Sequence, residues 1–203
     1  MIKPLTNTIQ GVIDFTWPMV IISVVIMVSF RICYLIKNKE KIVLYKELMM
    51  LIFAVYILCL FQVVTFQDDT SWASNNFIPF KEILRYDITS RLFIKNVLGN
   101  MIMFLPFGFF VSYYLKPEKI TLPLVLIVIA SVSIEVVQLI IGRVFDVDDI
   151  LLNILGGLIG YFIYDLFRRV VEPLPKVFKT EIFLDIFTGL LFMGLIIGLI
   201  VIL

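Results

Sequence analysis

The sequence predicts an all-α fold, a polytopic transmembrane helical bundle of about six helices with both termini outside. Three observations predict it: the share of apolar residues, the length of the apolar runs and the alternation of basic loops. Of the 203 residues, 61% are hydrophobic and 16% charged, more apolar surface than one core of that size hides from water. Six apolar runs, at about Phe15–Ile36, Leu48–Phe66, Leu92–Leu115, Leu122–Ile141, Ile150–Phe167 and Ile182–Leu203, are long enough to cross roughly 30 Å of hydrocarbon as helices. Lysine and arginine mark the inner side of a membrane. Here they crowd alternate loops: Lys37, Lys39, Lys41 and Lys46, then Lys116 and Lys119, then Arg168, Arg169, Lys176 and Lys179.

The first run is longer than a signal-peptide core, its leader is not strongly basic and no small-residue cleavage site follows, so it reads as a permanent anchor. After the second run comes an external segment with Asp68, Asp69, Lys81, Glu82, Arg85, Asp87 and Arg91. Within it Phe77, Ile78, Phe80, Ile83 and Leu84 alternate with polar residues, as in an interfacial helix starting near Pro79. That segment is either a lid over polar residues below it or a membrane-hugging loop. The third run carries Asn96 and Asn100, four apart and so on one helical face. Pro106 and Pro123 are tolerated in lipid-embedded helices as a kink and as a first-turn residue.

The fourth run carries Glu135 and Gln138 on one face, about 10 Å and 5 Å below its outer end at 1.5 Å per residue. A short turn with Arg143, Asp146, Asp148 and Asp149 follows, and Asn153 opens the fifth run. Three helices thus bring amides and one carboxylate to a similar depth. A carboxylate in hydrocarbon requires a partner, and Arg143, Arg91 and Lys95 are nearest in depth. One of Asp148 and Asp149 reads as a helix N-cap, whereas Asp146 has no such role in the sequence. Together the three aspartates could hold a hard cation, but one acidic cluster is a weak signal for metal and no metal ligand set is assigned. Gly156 and Gly160, with Gly157 beside them, form a small-xxx-small pair that lets this helix approach a neighbour closely. The last run is an additional C-terminal helix at 182–203 on a single membrane domain of residues 1–203, set off near Pro173 and Pro175.

Histidine is absent, which excludes Ser-His-Asp and Cys-His nucleophile chemistry and HExxH metal sites within this chain. Cys33 and Cys59 lie in separate apolar runs and read as buried free thiols. A net charge of +1 gives no argument for a nucleic-acid partner. No cofactor is indicated.

Four blocks occur in order: Asn76-Phe77-Ile78-Pro79-Phe80; NVLGNMIMFLPFG from Asn96 to Gly108; Ser133-Ile134-Glu135 with Gln138; and GRVFDVDDILLNILGG from Gly142 to Gly157. Their combination resembles the VanZ-like family over roughly residues 50–167, the second to fifth helices. The resemblance implies a multi-pass protein of the bacterial plasma membrane and, as in some members, low-level resistance to teicoplanin and related lipoglycopeptides. Its matching polar positions are Asn76, Asn96, Asn100, Glu135, Gln138, Arg143, Asp146, Asp149 and Asn153.

Three functions compete. An outer-leaflet polar cleft can bind or modify a membrane lipid or lipid-linked cell-wall precursor, its amide-rich lining suiting sugar, peptide or headgroup contacts and lowering the action of a lipoglycopeptide antibiotic. An enzyme can use Glu135 as catalytic general acid or base, with Arg143 holding an anionic group. A transporter or flippase is disfavoured by the lack of an internal repeat and of polar residues in the inner halves of the spans.

Overall fold

A computed structural model of the chain describes residues 3–65, 75–87 and 90–202, with side chains from residue 17 to residue 194 among them. Asp68 and Asp69 of the external acidic segment lie outside the described residues. The architecture is all-helical. Helix α1 spans Lys3–Asn38 and α2 spans Leu44–Thr65. A single turn α3 (Arg91–Phe93), a π-helical turn (Ile94–Leu98) and α4 (Gly99–Leu115) follow one another without a break. Then come α5 (Thr121–Ile140), α6 (Val147–Val171) and α7 (Glu181–Ile202). Among the described residues five helices are long and apolar enough to cross a membrane: Trp17–Asn38, Leu44–Thr65, Arg91–Leu115, Thr121–Ile140 and Val147–Val171. The sixth apolar run is α7, 22 residues long.

The helices divide into two units, one of residues Met1–Cys59 and Val170–Leu203, the other of Leu60–Arg169. In the first, α1 and α2 are joined by a two-pronged ion pair in which Arg31 Nε and Nη2 donate to the two Glu47 oxygens at 2.8 Å each. The start of α7 meets the start of α2: the Tyr45 backbone N–H donates to Asp185 Oδ1 at 2.9 Å and Lys46 pairs with Glu181 at 2.6 Å.

The second unit is held by close backbone approach. A methyl group built on Gly108 would lie 1.9 Å from the Gly157 carbonyl oxygen, one on Gly156 2.1 Å from that of Met101, and one on Gly160 2.0 Å from that of Leu105. The small-xxx-small pair thus packs α6 against α4 at near-contact distance, as its spacing predicts. Ile127 of α5, fully buried, covers Gly157 from the third side, and Phe104 of α4 has no exposed surface either. Both cysteines are free, but they are not buried: Cys33 is exposed and Cys59 half-buried. A helix in lipid turns outward residues as apolar as its inward ones, so hydrophobicity does not tell which face a cysteine occupies.

Candidate functional site

At one end of the second unit, the C-terminal ends of α2 and α5 meet the N-terminal ends of the α3–α4 rod and of α6. Gly142, with φ at +86°, makes the turn that ends α5. The chain reverses there, and the Arg143 backbone N–H reaches back to the Gln138 carbonyl at 2.9 Å.

Residue Asn76 pairs with Asp146 as an isolated parallel bridge. The Asn76 N–H donates to the Phe145 carbonyl at 2.8 Å and the Val147 N–H to the Asn76 carbonyl at 3.0 Å. The Asn76 side chain completes the splice, its Nδ2 donating to Asp146 Oδ1 at 2.8 Å while its Oδ1 accepts from the Ile78 N–H at 3.2 Å. Phe77 stacks on Phe145 at 5.3 Å beside it.

The acidic triplet sorts into three roles, and the sequence-based assignment of the cap is corrected. Because α6 begins at Val147, the residue before it is Asp146, and its Oδ1 accepts the Asp148 N–H at 2.9 Å. Asp146 is therefore the N-cap, and neither Asp148 nor Asp149 is. Asp148, 1% exposed, turns away from its own helix and gathers the loop of residues 76–86: its Oδ1 accepts from the Phe80 N–H at 2.5 Å and its Oδ2 from those of Glu82 and Ile83 at 2.7 and 3.2 Å. Asp149 accepts from Asn100 Nδ2 and so ties α6 to α4.

That capture by Asp148 is why no interfacial helix starts at Pro79. Phe80 takes a left-handed conformation (φ +66°) and the chain closes into a turn and one 3-10 turn, Ile83–Arg85, because donors aimed at one carboxylate cannot also serve a helix ladder. Phe77, Ile78, Phe80 and Leu84 stay exposed on the outside of this loop.

Glu135, 1% exposed, sits beneath the splice. Its Oε2 accepts from the Asp146 backbone N–H at 3.0 Å. Its Oε1 accepts from Gln138 Nε2 at 2.9 Å, in the amide orientation that also lets Gln138 Oε1 accept from Arg143 Nη1 at 2.7 Å. Of the three cations near in depth, Arg143 is thus linked to the carboxylate, through Gln138 rather than by direct ion pairing. Arg143 Nη1 also donates to the Val64 carbonyl at 2.6 Å, bringing the end of α2 into the network. Ser131 Oγ reaches the Ile150 carbonyl at 3.4 Å lower down.

Asn96 and Asn100 do not act on one partner. The π turn at Ile94–Leu98 contains Asn96 and alters the α-helical register before Asn100, so Asn96 Nδ2 donates to the Tyr86 hydroxyl at 2.9 Å while Asn100 serves Asp149. Asn153, one turn beyond Asp149, is buried at 2% exposure. The structure thus gathers Asn76, Asn100, Glu135, Gln138, Arg143, Asp146, Asp149 and Asn153 about the α6 N-terminus, and Asn96 joins through the loop residue Tyr86.

Three further residues belong here. Asp148 was legible only as a cap candidate, because its true partners are backbone groups that no side-chain pattern reveals. Gln62, a lone amide near the end of the second apolar run, gave the same depth signal as Gln138. Tyr86 gave none. Among the described residues, Gln62 Nε2 and Asn153 Oδ1 are buried without a hydrogen-bond partner in the protein. No group of three or more His, Cys, Asp or Glu side chains is placed to hold a metal among those residues, since the three aspartates engage different donors.

Asp146 lies just outside the apolar spans. Burial pushes its carboxyl above the ordinary range, and the Asp148 and Glu82 charges add to that rise, opposed by the Asp148 N–H and the Asn76 amide. A carboxyl whose folded-state value is raised binds more protons folded than unfolded, so its contribution to stability falls as pH climbs from about 4, the ordinary value. Asp146→Asn keeps an oxygen for both the Asn76 and the Asp148 bonds and removes the charge. This variant should melt within about 1 kcal/mol of the parent at neutral pH and lose less stability as pH rises. Thermal melts in detergent from pH 4 to 8 check it, and a steeper fall for the variant would contradict the sign.

These helices and this network define a polytopic α-helical membrane protein with a buried polar site at one end of the unit formed by α4, α5, α6 and the end of α2. Residues 48–168 match the family model described as VanZ/LLP1. That is more than half of the chain and includes every residue of the network, so the chain belongs to this VanZ-like family. Neither the comparison with curated proteins nor that with solved structures yields a match.

Proposed function

We propose that the polar network is an outer-leaflet binding site in the bacterial plasma membrane for the polar part of a lipid or lipid-linked cell-envelope component, and that occupying or altering this component gives low-level resistance to teicoplanin and related lipoglycopeptides. The observation that carries this reading is the pair of unpartnered buried amide atoms, Gln62 Nε2 and Asn153 Oδ1. A buried donor or acceptor without a partner costs about 1–3 kcal/mol. One of each kind suits a neutral ligand group that both accepts and donates, such as a sugar hydroxyl or a peptide amide. Gln62 precedes Val64, which accepts from Arg143, and Asn153 follows Asp149 by one turn, so both flank the network. The basic residues at the opposite ends of α5 and α6, Lys116 and Lys119 before α5 and Arg168 and Arg169 in the last turn of α6, support an outward-facing site.

Binding fits the geometry better than general acid–base catalysis by Glu135. Both carboxylate oxygens already accept bonds from Asp146 and Gln138, and a base must have an oxygen within reach of the proton it removes. Teicoplanin susceptibility of a sensitive Gram-positive host, at equal membrane abundance by immunoblot, tests the reading. The parent should protect, Asn153→Leu should not, and Glu135→Gln should keep part of the protection, because it loses about one hydrogen bond rather than a proton carrier. Complete loss in Glu135→Gln alone would favour an enzyme, and no protection by the parent would sever the link to resistance.

A further inference from the structure

The first unit contains a groove of about 780 Å³ between the second half of α1 and the first half of α2. Its walls include Ile26, Phe30 and Leu35 on one side and Leu48, Leu51 and Ala54 on the other. Arg31, Glu47 and Tyr34 are the only lining residues with polar side chains. The groove runs along α1 for about 13 Å, at 1.5 Å per residue from Ile26 to Leu35, and its volume is within the range of roughly 300–1,000 Å³ typical of small-molecule sites.

The polar groups in its wall are already engaged. The Arg31 fork is bound by both Glu47 oxygens at 2.8 Å, and the guanidinium lies 5.3 Å from the Tyr34 ring centre. Arg31 was not among the residues the sequence singled out, although a lone arginine within an apolar run is a signal of its own. At the end of the groove the chain turns back from α1 to α2. The Glu40 N–H donates to the Leu35 carbonyl at 3.1 Å and the Lys39 N–H to that of Ile36 at 3.3 Å. With Lys39 left-handed (φ 54°), this is a Schellman closure, so the turn is ordered. It exposes Lys37, Lys39 and Lys41 with Glu40 the one acidic residue between them. Lys46 is taken by Glu181, whereas these three lysines form no ion pair among the described residues.

An apolar groove that ends at three exposed, unneutralised lysines beside a membrane span matches one chemistry, a hydrocarbon chain attached to an anionic headgroup. We propose that this groove holds an acyl chain of an anionic phospholipid of the basic-loop leaflet, with Lys37, Lys39 and Lys41 meeting its phosphate. The α1 wall lies before the matched residues 48–168, so the site is a feature of this chain apart from the polar network and independent of the function proposed above.

Native mass spectrometry of the full chain in mixed micelles, with dioleoyl phosphatidylglycerol or dioleoyl phosphatidylcholine added, tests it. Each lysine near an anionic lipid contributes roughly fivefold, so the parent should retain phosphatidylglycerol about tenfold or more over phosphatidylcholine. The Lys37→Gln, Lys39→Gln, Lys41→Gln triple variant, altered only at exposed positions, should bind the two equally. Ala54→Trp, which fills the groove, should retain neither. Equal retention by the parent, an undiminished preference in the triple variant, or a preference surviving in folded Ala54→Trp would each overturn the proposal.

Discussion

Gly108→Ala should remove most of the protein from the membrane. The added methyl would stand 1.9 Å from the Gly157 carbonyl oxygen and 2.8 Å from its Cα. Those are backbone atoms, which no rotamer change moves, so α4 and α6 must separate. Separation disturbs Ile127, which is fully buried against Gly157, in a setting where helix association rests on close van der Waals packing. Overpacking costs typically 1–3 kcal/mol and more where the neighbours cannot relax, and about 3 kcal/mol is expected here. Gly156→Ala should behave alike, meeting the Met101 carbonyl oxygen at 2.1 Å. Gly142→Ala is the informative contrast: open space surrounds it, and only its φ of +86° opposes a side chain, for about 1–2 kcal/mol. Immunoblots of membrane fractions and melting temperatures in detergent should rank Gly108 and Gly156 well below Gly142. A Gly108→Ala protein that accumulates and melts like the parent would refute the close approach of α4 and α6.

The second large effect is expected at Asp148. Its carboxylate accepts three backbone N–H groups, from Phe80, Glu82 and Ile83, and so fixes the loop of residues 76–86 on α6. Hydrogen bonds to a charged group contribute about 1.5–3 kcal/mol each, and water regained by an opened loop offsets part of that. Asp148→Ala should lose about 3 kcal/mol of stability, while Asp148→Asn should lose less, since one oxygen remains. The loop contains Lys81 and Arg85, both exposed, so trypsin reads its opening directly. Cleavage there should quicken about tenfold or more in Asp148→Ala, as a loss of even 1.4 kcal/mol in local closure is tenfold in open population. Equal cleavage rates in parent and variant would mean that Asp148 does not hold the loop.

These two positions also show what a sequence of this kind discloses. The six helices were legible because lipid demands long apolar runs, and the Gly156–Gly160 pair because close packing demands small residues four apart. The polar end was legible by depth: Glu135, Gln138, Arg143 and Asn153 stand out against hydrocarbon wherever they occur. What could not be read was the assignment of partners. Asp146, Asp148 and Asp149 are chemically alike, and only the exact first residue of α6, a boundary that periodicity locates poorly, decides which is the cap. The divergence of Asn96 from Asn100 depends on a π turn that their i,i+4 spacing conceals. The folding of residues 76–86 around Asp148 depends on backbone donors, which every sequence has.

The claim that the α6 end is a ligand site is tested most directly by what the protein carries. The parent and the Asn153→Leu and Gln62→Leu variants, each extracted gently from a Gram-positive host, would be purified at equal yield and their bound lipids identified by mass spectrometry. One envelope lipid with a sugar- or peptide-bearing headgroup should be enriched on the parent and depleted on both variants, with ordinary phospholipids unchanged. An identical lipid profile on all three folded proteins would contradict it and leave the polar network as a device that only holds helices and loop together.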